Sequence, residues 1–258
     1  MPVASDIEET RSDADAVEKG LPINELFYSL QGEGTLAGVP SVFVRISGCN
    51  LRCWFCDSYH TSWEPTGAWR DVDSIMDEVR SHKQANHVVL TGGEPLIHEQ
   101  SVELLEELAA EGYHTTVETN GTIYRDAPID LASISPKLES STPTPDRDPM
   151  GDGEWEQKHE QNRIDMDALS RMVDAYETQL KFVVTDETDL PEITDLVDRV
   201  RAATATIVAD DNVLLMPEGM TREQLDGMRS EVAELAMENG YRYTPRLHVD
   251  LWNDAPGT

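Results

Sequence analysis

Cys49, Cys53 and Cys56 are the only cysteines in a chain of 258 residues. They share one stretch, SGCNLRCWFCD (47–57). A C-x3-C-x2-C spacing brings three thiolates onto one loop, where they can converge on a single inorganic centre. If that centre is a 4Fe–4S cluster, one iron has no cysteine ligand and is open to a small chelating molecule. Taken alone, the spacing fits zinc as well, because His60 would complete a tetrahedral set with the three cysteines. The surroundings separate the two. Trp54 and Phe55 lie between the cysteines, and apolar shielding suits a low-potential cluster better than a polar, self-contained zinc module. Downstream, TGGEP (91–95) closes a strand in a way that no zinc module requires.

The elements that must position these groups follow from the apolar pattern. INELFYSL (23–30) reads as a strand, QGEGTLAG (31–38) as a glycine-rich loop, and SVFVRIS (41–47) as a buried strand running straight into Cys49. Asp71 is an N-cap for a helix with Val72, Ile75, Met76 and Val79 on one face. HVVL (87–90) is a strand ending in TGGEP, followed by a helix with Leu104, Leu105 and Leu108 inward that ends by Gly112. HTTVETNG (114–121) and DLASISPK (130–137) are further strands. A helix over 166–177 precedes the strand QLKFVV (179–184), and the next helix carries Ile193, Leu196, Val197 and Val200. NVLLMPEG (212–219) is the last barrel-type strand; Thr221 and Gln224 form a capping box for a helix with Leu225, Met228, Val232 and Leu235 inward. RYTPRLHVDLW (242–252) closes the pattern.

Strand-then-helix alternation predicts an α/β fold with a mostly parallel sheet. Six core strands are too few to close an eight-stranded barrel, so the expected architecture is an open, partial (β/α)6 barrel. Polar, glycine-bearing segments follow the strands at Gly48, 91–95, 118–121, 135–137 and 216–219, which places them on the carboxyl-terminal rim where barrel enzymes keep their chemistry. The Gly-Gly turn is expected to offer backbone groups to an amino-acid ligand in the manner of an added strand. Residues 1–21 read as an acidic, disordered extension and 22–258 as one domain, with 139–165, rich in Pro, Gly, Asp and Glu, as an exposed insertion.

The net charge is −30, with lysine only at Lys19, Lys83, Lys137, Lys158 and Lys181. The acid is dispersed along the chain, which reads as a solvated surface adapted to a high-salt cytoplasm. Such a surface excludes electrostatic binding to nucleic acid or to an anionic membrane. Three crowded cysteines make no disulfide framework, no apolar run approaches the roughly 18 residues of a membrane span, and the amino terminus has no signal-peptide core. The expected location is a reducing cytoplasm.

C-x3-C-x2-C followed by GGEP resembles the radical S-adenosylmethionine superfamily. FYSLQGEG (27–34), GVP (38–40), FVRISGCNLRCWFCDS (43–58), ETNG (118–121), SPK (135–137) and KFVV (181–184) together resemble the 7-carboxy-7-deazaguanine synthase family. That resemblance implies ring contraction of 6-carboxy-5,6,7,8-tetrahydropterin to 7-carboxy-7-deazaguanine with loss of ammonia, in queuosine or archaeosine biosynthesis. It implies a 4Fe–4S cluster on Cys49, Cys53 and Cys56, S-adenosylmethionine, Mg2+, a ferredoxin or flavodoxin reductant and a homodimer. By the same resemblance, Leu30, Gln31, Gly32, Arg45 and Thr91 contact substrate, joined by Glu33, Glu118 and His248. Arg45 suits this role because a guanidinium grips a carboxylate at two points. Phe55, Cys56, Asp57, Gly93, Ser135, Pro136 and Lys137 line S-adenosylmethionine, and Met216, Pro217, Glu218 and Gly219 pack its adenine, with Met216 standing where the family more often has Gln. Ser58 replaces the family's usual Thr and keeps the hydroxyl oxygen that a Mg2+ would need. The other readings are a radical enzyme that installs a glycyl radical on a partner protein, and a non-catalytic zinc-binding module.

Overall fold

The first strand, β1 (Leu21–Leu30), opens with fully buried Leu21, so ordered chain begins inside the segment read as an extension over 1–21. The remainder of that segment, 1–19, lies outside the described residues, which are 20–151 and 153–253 of a computed structural model. β2 (Pro40–Ile46) returns antiparallel to β1, with Val44 opposite Leu26 and Val42 opposite Tyr28. Its interior residues are buried and apolar apart from buried Ser41 and half-buried Arg45, so the strand both anchors in the core and delivers the chain into the cysteine loop. A single-turn helix, α1 (Tyr59–Ser62), and a short strand, β3 (Ala68–Arg70), follow; β3 lies antiparallel on the outer side of β1.

Helix and strand then alternate. In α2 (Val72–Ser81) the Asp71 carboxylate accepts from the Ser74 N–H at 2.7 Å, and Val72, Ile75, Met76 and Val79 face the core. β4 (His87–Gly92), α3 (Gln100–Ala110), β5 (His114–Thr119), β6 (Leu131–Ile134), α4 (Glu156–Asn162), α5 (Met166–Ala175), β7 (Thr178–Val184), α6 (Leu190–Ala203), β8 (Val213–Pro217), α7 (Arg222–Asn239), β9 (Arg242–Tyr243) and α8 (Leu247–Trp252) complete the order. The sheet runs β3-β1-β2-β4-β5-β6-β7-β8-β9 and is parallel from β2 onward. Its ends, β3 and β9, do not pair among the described residues, so the barrel is open. The six core strands β2, β4, β5, β6, β7 and β8 match the expected partial barrel, and their apolar runs reflect burial on both faces.

Two expectations change. On α7 the capping box at Thr221 and Gln224 forms, but Ala236 is buried where Met228 and Leu235 are only half-buried, because Leu225, Val232 and Ala236 fall on one line of the helix and Met228 and Leu235 lie to one side of it. The segment 139–165, read as exposed, is exposed along one side only: Ser141, Thr142, Asp148 and His159 are buried, and the segment lies against the cysteine loop. Besides packing Ile164 against the core, it satisfies backbone groups of its neighbour. Among the described residues no helix is long and apolar enough to cross a membrane.

Candidate active site

The carboxyl ends of the parallel strands open into one cleft, and Cys49, Cys53 and Cys56 line it. Glycine makes this corner possible. A Cβ on Gly93 would stand 2.1 Å from the Gly48 carbonyl oxygen, so only a bare Cα lets the end of β4 lie flush against the loop entering Cys49. The Gly93 N–H donates to the Ile46 carbonyl and the Glu94 N–H to that of Gly48, both at 2.9 Å. These two donors are spent on seating the cysteine loop, so they are not among the backbone groups that the Gly-Gly turn can offer to a ligand. Glu94 is fully buried and ties the ends of β4 and β5 together, accepting from Leu96 N–H at 3.0 Å, Asn120 N–H at 2.7 Å and the Thr119 hydroxyl at 2.9 Å. Burial pushes its carboxyl up to about 7 despite these donors.

Two of the three sulfurs accept a hydrogen bond. Leu51 N–H reaches Cys49 Sγ at 3.4 Å, and the Ser62 hydroxyl reaches Cys56 Sγ at 3.1 Å. Burial pushes the thiols of Cys49 and Cys56 up to about 12 and raises that of Cys53, so a metal centre must displace protons to bind here. His60, the fourth ligand of the zinc reading, is exposed and does not line the cleft. Among the described residues no three His, Cys, Asp or Glu side chains are grouped to hold a single ion. Three convergent thiols without a fourth ligand fit a cluster with one open iron and do not fit tetrahedral zinc.

Across the cleft lies a buried charge network. Arg246, on the turn entering α8, donates from Nε to Glu33 at 3.0 Å, from Nη1 to the Gly219 carbonyl at 2.6 Å, and from Nη2 to Asp57. Lys181, on β7, donates to the other oxygen of Glu33 and stands 4.0 Å from Glu118. Burial alone would raise the Glu33 carboxyl, but Lys181, Arg246 and His248 outweigh it and hold it far below the carboxylate range. Asp57 is likewise held low, with Arg246 overcoming burial. Gln31 donates to one oxygen of Glu118 at 3.2 Å and Thr91 to the other at 2.7 Å. Arg45 donates to Ser58 Oγ at 2.8 Å, and its guanidinium lies 5.4 Å from the Phe27 ring centre. Gly32 has a packing reason: a Cβ there would stand 1.9 Å from His248 Nδ1, so the imidazole sits directly on its bare Cα. Burial lowers the His248 pKa and favours the neutral ring.

Leu30, Gln31, Gly32, Glu33, Arg45, Thr91, Glu118 and His248 all line this cleft, as do Phe55, Asp57, Ser58, Gly93, Ser135, Lys137, Met216, Glu218 and Gly219. Pro136 and Pro217 do not line it. Pro217 is buried within β8 opposite Val184, and Pro136 is buried between two residues that do reach the cleft. Sequence reasoning missed Lys181, Arg246, Ser62 and Asn120, which share the lining. A lysine inside the apolar strand QLKFVV was a legible signal; Arg246 offered none.

An unclosed parallel sheet with a three-thiol loop at its carboxyl rim defines an enzyme of the radical S-adenosylmethionine superfamily, whose profile matches residues 43–137. Membership implies a 4Fe–4S cluster and S-adenosylmethionine as cofactors. A 7-carboxy-7-deazaguanine synthase of Halobacterium salinarum is 69% identical over 238 residues, 92% of this chain and 93% of that protein. One from Rhodopirellula baltica is 41% identical over 251 residues, 97% and 93% of the two chains. The chain belongs to the 7-carboxy-7-deazaguanine synthase family. The crystal structure of QueE from Escherichia coli shares the fold at a TM-score of 0.65 and 24% identity, covering 92% of this chain and all of that one.

Proposed function

We propose that this chain converts 6-carboxy-5,6,7,8-tetrahydropterin to 7-carboxy-7-deazaguanine, with ring contraction and loss of ammonia, toward queuosine or archaeosine in tRNA. The observation that carries the reading is one cleft in which three thiols face the acids Glu33 and Glu118, the cations Arg45 and buried Lys181, and the imidazole of His248. When bound, the cluster and S-adenosylmethionine supply an electron and the carbon radical that takes a hydrogen atom from the substrate. The chain's own groups do the rest. Glu33, kept ionised by Lys181 and Arg246, and Glu118 accept from the N–H edge of the pterin ring. Arg45 turns from Ser58 to clamp the substrate carboxylate, which frees the Ser58 oxygen for Mg2+. The carbonyls of the Gly-Gly turn receive the ammonium of S-adenosylmethionine, since the Gly93 and Glu94 N–H groups are already engaged. Phe55 and Met216 give that ligand apolar walls, and Asp57, Ser135, Lys137, Glu218 and Gly219 give it polar ones. A ferredoxin or flavodoxin delivers the electron, and the working form is a homodimer.

The test is anaerobic turnover of 6-carboxytetrahydropterin by the iron-reconstituted chain in high salt, followed by absorbance of the deazaguanine product. Product formation that needs Mg2+, and that Cys49→Ala abolishes together with bound iron, is the expected result. No product with four irons per chain and S-adenosylmethionine present would refute the substrate. Full activity after chelation, in both wild type and Ser58→Ala, would remove Mg2+.

A further inference from the structure

The segment 139–165 takes no part in the reading above, yet it grips the cysteine loop on both sides of Cys53. The Arg52 N–H donates to His159 Nδ1 at 3.1 Å, and the Trp54 N–H to the Ser141 carbonyl at 3.2 Å. The Trp54 indole N–H reaches the Ser140 carbonyl at 2.7 Å. All three acceptors belong to the segment and none to the sheet, so this part of the loop is pinned from its outer side.

Arg52 is the only charged residue between Cys49 and Cys56, and its side chain holds the loop from within. It is buried, and Nη1 donates at 2.8 Å to the carbonyls of both Cys49 and Leu51, tying the backbone of the first cysteine into one turn. Trp155 closes over that guanidinium, with its ring centre 4.2 Å from Arg52 Cζ. The indole is half-buried, does not line the cleft and lies outside the barrel core. Lys158 Nζ stands 3.9 Å from the same ring centre. An indole that collects two cations is used for its π face and not only for its bulk. Water admitted here would compete for the protons that hold the Cys49 and Leu51 carbonyls; the ring keeps it out while attracting the charge.

We propose that Trp155 is the outer latch of the cysteine loop, a positioning residue that acts through Arg52 to keep the loop closed and so sets how slowly the cluster is lost. The proposal rests on the cluster reading of that loop. A centre held by three thiolates escapes only when the loop opens far enough for a ligand to swing away, so its loss follows the fraction of time the loop is open. Removing a desolvated cation–π contact is expected to raise that fraction about tenfold.

The experiment is anaerobic release of iron from iron-reconstituted full-length chain to excess bathophenanthroline disulfonate, followed by absorbance of the ferrous complex. Trp155→Leu, which keeps apolar bulk without a π face, is expected to begin with a full cluster and lose it about tenfold faster than wild type. Trp155→Phe, which keeps a π face, is expected to release iron within about threefold of the wild-type rate. Metal-free Trp155→Leu is expected to melt within about 2 °C of the metal-free wild type, because the ring serves the loop and not the core. Equal release from wild type and loaded Trp155→Leu, or a Trp155→Phe chain as fast as Trp155→Leu, overturns the proposal while leaving the cluster reading intact. A melting point several degrees lower in metal-free Trp155→Leu would assign the ring to the fold and overturn it too. If Trp155→Leu sheds its iron during reconstitution while Trp155→Phe stays loaded, the latch has failed completely, as proposed; shedding by both overturns it. Wild-type chain without a cluster would sink both readings together.

Discussion

Arg246 is the residue on which the charge balance of the cleft turns, and Arg246→Met removes its charge while keeping much of its length. Its side chain is 7% exposed and that of Glu33 12% exposed, so their 3.0 Å contact is an interior one. The Asp57 side chain is 47% exposed, and water recovers much of what that carboxylate would lose. Removing one partner of a buried pair costs roughly 3–5 kcal/mol when the other is stranded. Glu33 keeps Lys181, so the expected loss sits at the lower end, about 3 kcal/mol. For a chain of this size that lowers Tm by about 6–12 °C at pH 7. The deficit should depend on pH. Arg246 and Lys181 hold the Glu33 carboxyl below its unfolded value of 4.5, so their stabilisation is present above that value and lost as pH falls through the folded one. In the variant Glu33 and Asp57 ionise less readily and have less to lose, so the gap is widest at neutral pH and narrows in acid. Thermal melts of the metal-free chains by circular dichroism, at pH 7 and at the lowest pH where both refold, measure this. A variant melting within about 2 °C of wild type at pH 7, or a gap equal at both pH values, would refute the reasoning.

Two other outcomes follow from groups outside the cleft. His87 is buried between the Ser41 hydroxyl at 2.7 Å and the Thr116 hydroxyl at 2.8 Å, and burial lowers its pKa to about 4. The unfolded chain therefore takes up that proton first, so stability declines as pH falls from about 6.5 to 4, by on the order of 3 kcal/mol from this residue. His87→Gln should flatten that part of the stability profile, with the slope from His159, shifted the same way, remaining; an unchanged profile in denaturant titrations would contradict this. The net charge of −30 predicts that the melting temperature climbs steadily with added KCl, because screening relieves self-repulsion. A melt insensitive to salt would rule out the high-salt reading.

The local chemistry was legible in the chain because it depends on neighbours in sequence. Three cysteines on one loop, Asp71 and Thr221 before apolar-periodic helices, and apolar runs ending in glycine-rich turns each carry their physical reason within about ten residues. That was enough for an open parallel barrel with its chemistry at one rim. Lys181 lay between: a buried cation in an apolar strand announces that it needs a partner, but not that the partner is Glu33, far back in the chain. Arg246, the two-sided grip of 139–165 on Cys53, and the use of the Gly93 and Glu94 amides to seat the cysteine loop were decided only by tertiary structure. Each is a pairing of polar groups between elements distant in sequence. A polar side chain or amide has the same composition whether it faces water or a partner, and only packing removes the water and names the partner.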